Sequence, residues 1–496
     1  MKILALALFL AMAVTASAYT RKGSSGKSIQ SDGSQADTQR AIDAAPDDGT
    51  TTVILPNGTF TWSGTLRIEK AVSLAGLENT VIRNNLANGI MIAAKSGQHG
   101  NIQIYQLKFE QVADNSGGKG YTITTNRDTS TRYTVILHDC TFDQKTTYSY
   151  AMEAGENGVI IYNCEFIGDG GLGGVSFTMH INDYSLYNTP STLGTKDPDG
   201  LHNSYLEDCT FKKAYLAGMN LDANSRTVIR HCAFYDCTIG SHGQETNPIG
   251  VIQWEIYNCA FHVSGPDNPA NMQNYFGCRG GTGVITGCTL DEIPWKTQFQ
   301  FNVYSITRGA NDGHGASFCP IEYPAPRQTG WNWANNGANW GKVEDSQNPQ
   351  LLEGGRSPGY FLPDGKGAIL DPVYVWNNTG PGAKASTYVQ TQTYQPDDCA
   401  NGQVIDTYLK KGRELMVDQG PKPGWTPYPY PHPMRSGTGG GPQPTPTPQP
   451  TPNPTPTPPP PQPTPTPTPP PTGNDYSDWL NKLSDWIRQN PALPNR

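Results

Sequence analysis

Val135-Ile136-Leu137-His138-Asp139-Cys140-Thr141-Phe142 and Val159-Ile160-Ile161-Tyr162-Asn163-Cys164-Glu165-Phe166 carry one pattern. Each reads apolar, x, aliphatic, x, bend, Cys, x, apolar. The same template fits Ser204 to Phe211, Thr227 to Phe234, Trp254 to Phe261 and Gly283 to Leu290. Alternation with period two is the mark of a strand with one face in a core. The residue before each Cys is Asp139, Asn163, Asp208, His231, Asn258 or Gly287. These types tolerate a left-handed backbone, so one residue can bend a strand into the next.

Working outward, Ile102 to Phe109 fits with Leu107 at the Cys position. Met179 to Leu186 fits with Asp183 at the bend and Tyr184 at the Cys position, and Val72 to Leu77 reads as a first coil. The nine anchors recur roughly every 20 to 33 residues, the range of solenoid repeats. The expected fold is all-β: a single-stranded right-handed parallel β-helix of about nine or more coils. Hexapeptide repeats, the mark of a left-handed solenoid, are absent. Rungs would stack ~4.8 Å apart. The six repeat cysteines are then expected as an inward stack of small buried thiols rather than disulfides. Cys237, Cys278, Cys319 and Cys399 lie off the ladder, and their pairing stays open.

The flanks complete a domain plan. Met1-Lys2, the apolar run Ile3 to Val14 and Ala16-Ser17-Ala18 read as a signal peptide over residues 1–18, which implies export. No later apolar run is long enough to span a membrane. The β-helix is assigned to residues 19–305. Residues 306–435 form a loop-rich, aromatic-rich C-terminal flank. Within it, Asp371 to Asn377 reads as a strand returning along the rod, and Asp406 to Asp418 as a helix. The Pro/Thr run 436–473 is an extended linker. In residues 474–496, Tyr476, Trp479, Leu480, Leu483, Trp486 and Ile487 make an apolar helical stripe. That helix has nothing of its own to cover, so a partner protein or a cell surface is the expected contact. Net charge is −8, with 35 Lys and Arg against 43 Asp and Glu and no basic cluster. This argues against nucleic acid as a partner.

Gln35 to Ala45 reads as an amphipathic helix, followed by Leu55-Pro56-Asn57-Gly58-Thr59-Phe60. With this entry segment, residues 30 to 305 resemble the pectate-lyase-like superfamily of right-handed parallel β-helices. The resemblance implies an N-terminal helix capping the open coil and a glycan groove along the strand preceding the aligned repeat. It does not name a reaction. The pectate-lyase Trp-Ile-Asp-His block and the polygalacturonase Asp-Asp block are missing, and Asp312-Gly313-His314-Gly315 lies beyond the last clear coil.

Alternation along that preceding strand points Glu153, Thr178, His202, Asn220, Asp222, His242 and Arg279 outward, with Lys296 extending the row. An imidazole near neutral pKa suits general base work, so His242 or His202 is the expected base. Arg279 would pair with a substrate carboxylate. Glu153, Asn220, Asp222 and Lys296 would bind substrate, and Glu153 with Asp222 would hold a Ca²⁺ ion, the one cofactor considered. The indoles of Trp331, Trp333 and Trp340 would stack on sugar or pack their own loop. The expected activity is a polysaccharide lyase acting by β-elimination on an acidic glycan. The net negative charge argues mildly against an anionic substrate unless a cation bridges the two. Glu153 and Asp222, read as three coils and roughly 14 Å apart, are too distant for the paired carboxylates of hydrolysis. A glycoside hydrolase and a non-catalytic adhesin or structural rod are the alternatives.

Overall fold

A computed structural model describes residues 20–22, 28–96, 99–113, 120–126, 133–144, 149–154, 158–168, 178–179, 203–221, 225–241, 251, 253–264, 275–278, 281–293, 301–305, 329–333, 368–385, 389–393 and 411–436. These residues form a parallel β-helix. Among them no helix is long and apolar enough to cross a membrane.

The first face of the coil is a ladder of parallel strands. It runs Ser28–Gln30, Thr52–Ile54, Ser73–Ala75, Ile102–Tyr105, Val135–His138 and Ile160–Tyr162. It continues through Ser204–Glu207, Arg226–Arg230, Gln253–Tyr257 and Thr282–Thr286. The bends after this face are left-handed as expected: Asp139, Asn163, Asp208, His231 and Asn258 have φ between 53° and 56°, and Gly287 has 66°. Gln106 adopts the same conformation at 56°, although its side chain gives no special licence for it.

The second face follows each bend, with Phe109, Phe142, Phe166, Phe211, Phe234 and Phe261 stacked inward at centroid spacings of 4.7 to 5.0 Å. Cys140, Cys164, Cys209, Cys232, Cys259 and Cys288 are free and buried beside them. Identical side chains repeat because in-register parallel pairing gives each rung the same volume to fill. Off this ladder, Cys237 is buried and donates to the Tyr235 carbonyl at 3.2 Å.

The N-terminal helix Gln35–Ala44 is capped by Ser34, whose side chain accepts from the Asp37 amide. Its Ala41 and Ile42 join the core with Val53, Leu66 and Ile68 of the first coils. The entry helix thus covers apolar side chains at this end of the coil.

Four expectations need correction. Leu77 is 44% exposed and is not an inward anchor. A side chain on the neighbouring Gly76 would approach the Gln106 carbonyl at 2.3 Å, so that coil passes the next too closely for the template. The segment Met179 to Leu186 is not a separate coil. Ile160–Tyr162 pairs directly with Ser204–Glu207, while Thr178–Met179 belongs to the third face. One coil with a long insertion therefore replaces two. Val373–Trp376 does not merely return along the rod but adds in parallel to Thr282–Thr286. Leu415–Val417, read as the apolar face of a helix, is a strand parallel to Val373–Trp376. The ladder therefore runs past residue 305, with left-handed Asn377 and Asp418 at 54° and 55° after its two later strands.

Candidate functional site

The third face carries the outward column expected to bind glycan. Register fixes it rung by rung: Thr124 pairs with Glu153, Glu153 with Thr178, and Thr178 with Asn220. Asn220 pairs with Gly240, Gly240 with Gly277, Gly277 with Asn302, and Asn302 with Gln390. The flanking residues decide which way this column faces. Met152 and Ala154 lie in the core, so Glu153 between them faces outward, and Met219, Leu221, Ile239 and Phe276 continue the inward row. Glu153 is part-exposed.

Glu153, Thr178 and Asn220 thus occupy three consecutive rungs, and the direct pairing of Thr178 with Asn220 leaves no rung between them for His202, where the sequence places it. The rung count between Glu153 and Asn220 is two, not three, because the supposed Tyr184 coil does not exist. That brings Glu153 and Asn220 to about 10 Å across the ladder. Only the backbone of Asn220, Trp331 and Trp333 is described. His202, Asp222, His242, Arg279, Lys296 and Trp340 lie outside the described residues. Trp331–Trp333 pairs antiparallel with Ala368–Leu370. Gly330 donates to the Gly281 carbonyl at 2.9 Å, which ties this ribbon to the start of a first-face strand and not to the third-face column. Among the described residues no group of three or more His, Cys, Asp or Glu side chains is placed to hold a metal ion.

A second polar cluster, unforeseen in the sequence, lies outside the first face. Residues 421–435 form a strap in which proline alternates with Tyr428, Tyr430, His432 and Met434. Trp425, Tyr428 and Met434 pack on an outer apolar patch that includes Ile136, Ile160, Tyr205 and Val228. His432 lies 4.4 Å from the Tyr205 ring, and Tyr430 stacks on His231 at 3.8 Å. Beneath the strap Arg230 and Glu207 form an ion pair with both side chains 0% exposed. Arg230 also donates to the carbonyls of Tyr428 at 2.7 Å and Pro429 at 2.6 Å. Arg435 donates to Glu207 at 2.8 Å and Asp208 at 2.5 Å while lying over the Tyr162 ring. Burial opposes the charge on both arginines, but Tyr257 and Glu207 around Arg230, and Glu207 and Asp208 around Arg435, hold both above the usual arginine range.

Further along the strap, Glu255 is fully buried and accepts from the Trp425 indole at 3.1 Å and the Gln253 amide at 2.8 Å. Burial pushes its pKa up to about 7, against the lowering effect of those two donors, Arg230 and Lys422. The signal that could have revealed this cluster is the Glu207, Arg230, Glu255 series. These three charged residues fall on outward first-face positions held by Tyr162, Tyr205, Val228 and Tyr257 on neighbouring rungs.

No protein-family model matches the chain, and no curated protein matches it. Among solved structures it is similar to the pectin methylesterase from Aspergillus niger in deglycosylated form, at 12% identity and a TM-score of 0.29, over 48% of this chain and 84% of that one. It is similar to the alginate lyase from Paenibacillus sp. str. FPU-7 at 12% identity and a TM-score of 0.24, over 54% and 88%. It is also similar to the Agl-KA catalytic domain at 10% identity and a TM-score of 0.30, over 82% and 68%. The fold rests on this chain's own ladders: coils joined through single left-handed bends make a parallel β-helix resembling those of the pectate-lyase-like superfamily.

Proposed function

We propose that the protein is an exported, polysaccharide-active enzyme that cleaves an acidic glycan by β-elimination on its third face. One observation supports this above the others. Asn220, Gly240 and Gly277 are paired on consecutive rungs, and Asp222, His242 and Arg279 each follow one of them by two residues. On this reading the pairing extends two residues further. A carboxylate, an imidazole and a guanidinium then stand side by side at rung spacing.

The three groups match the demands of elimination. Removal of the C5 proton of a uronate needs a base, and His242 takes that role. The electron pair then forms the C4–C5 double bond as the C4–O glycosidic bond breaks, and the departing oxygen takes a proton from the imidazolium or from water. The carbanion is stabilised if the substrate carboxylate is paired, which Arg279 does through its fork of donors. Asn220 and Thr178 would bond hydroxyls in the neighbouring subsite, with Glu153 beyond them. A Ca²⁺ ion held by Asp222 with Glu153 would supply further positive charge to the carboxylate.

The rung count gives hydrolysis a specific claim as well. If the pairing extends from Asn220 to Asp222, Glu153 and Asp222 stand two rungs apart rather than three, closer to the separation of an inverting carboxylate pair. A panel of uronate polymers, with and without Ca²⁺, separates the readings. Elimination yields products absorbing in the unsaturated-uronate band and is lost in His242→Ala and Arg279→Ala. Hydrolysis yields reducing ends without that band and is lost in Glu153→Gln and Asp222→Asn. Full turnover by Arg279→Ala would remove the elimination site as drawn. Retained glycan binding with neither product would leave an adhesin.

A further inference from the structure

The carboxyl of Glu255 occupies an unusual place. It is 0% exposed, under a strap that has no regular ladder of its own. Its two hydrogen-bond donors are neutral: the Trp425 indole from the strap and the Gln253 amide from the same strand. The nearby cations are committed elsewhere. Arg230 is paired with Glu207. Lys422 is bonded to Asp371 and to the Pro372 carbonyl and Thr282 hydroxyl, both at 2.9 Å. The other titratable or charged groups around the patch are Arg226 and Tyr257 on neighbouring first-face positions and Tyr428 and His432 on the strap.

We infer that the strap is a proton-controlled cover, shut over the first face while Glu255 is neutral and loosened at its Trp425 end when Glu255 ionises. A neutral carboxyl is compatible with this buried position, which has no ion pair of its own. A carboxylate there keeps its charge against two neutral donors only. The least costly relief is for Trp425 to lift and admit water. The Arg435 end is held separately by Glu207 and Asp208, so opening starts at the Trp425 end.

The sign follows from the raised pKa. Below the ordinary glutamate range the group is protonated in both states and contributes nothing to pH dependence. Between that range and about 7 the closed form retains a proton that the open form has lost. Closure therefore weakens as pH rises through this window.

Hydrogen exchange of the intact chain tests this directly. After correction for intrinsic rates, protection of the amides from Trp425 to Arg435 should fall by more than tenfold, on the order of fiftyfold, between roughly pH 5 and pH 8. The core strands should not change. Glu255→Gln should make the strap's protection independent of pH across this range. His432 also lies on the strap, and any contribution of its own would survive in Glu255→Gln. Persistence of the full pH dependence in that variant would therefore overturn the proposal, as would flat protection in the wild type. If Glu255→Gln does not fold, Trp425→Phe serves instead. It removes a donor that favours the charged form, so the transition should move to higher pH, and an unmoved transition would refute the role of Glu255.

Discussion

At the scale of single residues, the bends decide the winding. Asp139, Asn163 and Asp208 each hold a left-handed backbone at φ near 54°, and each is placed between an inward aliphatic and an inward thiol. A residue with a Cβ but no short polar side chain loses roughly 1 to 2 kcal/mol there, whereas glycine adopts the conformation freely. Asn163→Ala should therefore destabilise the fold by about 1 kcal/mol, while Asn163→Gly should change it by less than that. Urea unfolding followed by circular dichroism compares the two. Equal losses would mean that the Asn163 side chain, which donates to Asp139 at 3.2 Å, matters more than its backbone. These bends were legible in the sequence because so few residue types accept the conformation. Gln106 was not, because nothing in its chemistry announces a left-handed turn. The thiol stack was legible for a related reason: a small apolar side chain recurring at one register position has a core slot to fill.

At the scale of elements, two kinds of ion pair coexist on the same coils. Lys212 and Glu165 meet on the second face with side chains 41% and 35% exposed. Glu207 and Arg230 meet beneath the strap with none. Water screens the first pair, so breaking it should cost less than about 1 kcal/mol. Removing one partner of the second leaves a buried charge with no counter-ion, a loss of about 3 to 5 kcal/mol. Glu207→Gln should thus destabilise far more than Glu165→Gln in parallel urea titrations, and similar midpoints would show that the strap is not a dry seal. The strap's docking was not readable from sequence, because its contacts join residues some 200 positions apart. Pro-aromatic alternation gives neither a helical nor a strand period to follow. Leu415–Val417 was misassigned for a related reason. Three apolar residues in a row suit a buried strand as well as a helix face, and only the pairing with Val373–Trp376 distinguishes them.

At the scale of the whole β-helix, the third face supplies a repeating surface rather than a single pocket. From Glu153 through Thr178, Asn220, Gly240, Gly277 and Asn302 to Gln390 the column takes six steps, about 29 Å at strand spacing. A ligand that is itself a linear repeat gains contacts with each unit it adds until it outruns the column. A compact ligand gains nothing from the length. Gly240, half-buried, and Gly277, buried, leave the middle of the column without side chains of its own. The sequence exposed this column because apolar residues such as Met152, Ala154, Met219, Leu221, Ile239 and Phe276 flank it. It misjudged one spacing because it counted a coil that the direct pairing of Ile160–Tyr162 with Ser204–Glu207 leaves out. If the third face binds glycan, affinity for uronate oligosaccharides should rise with chain length and level off once the ligand spans roughly the column. Titration calorimetry across a length series reads this out. Placing a bulky side chain on the bare stretch, as in Gly240→Leu, should weaken the longer ligands at least tenfold and the shortest much less. Affinity independent of length would instead place recognition at one compact site, and the long column would then serve only to build the rod.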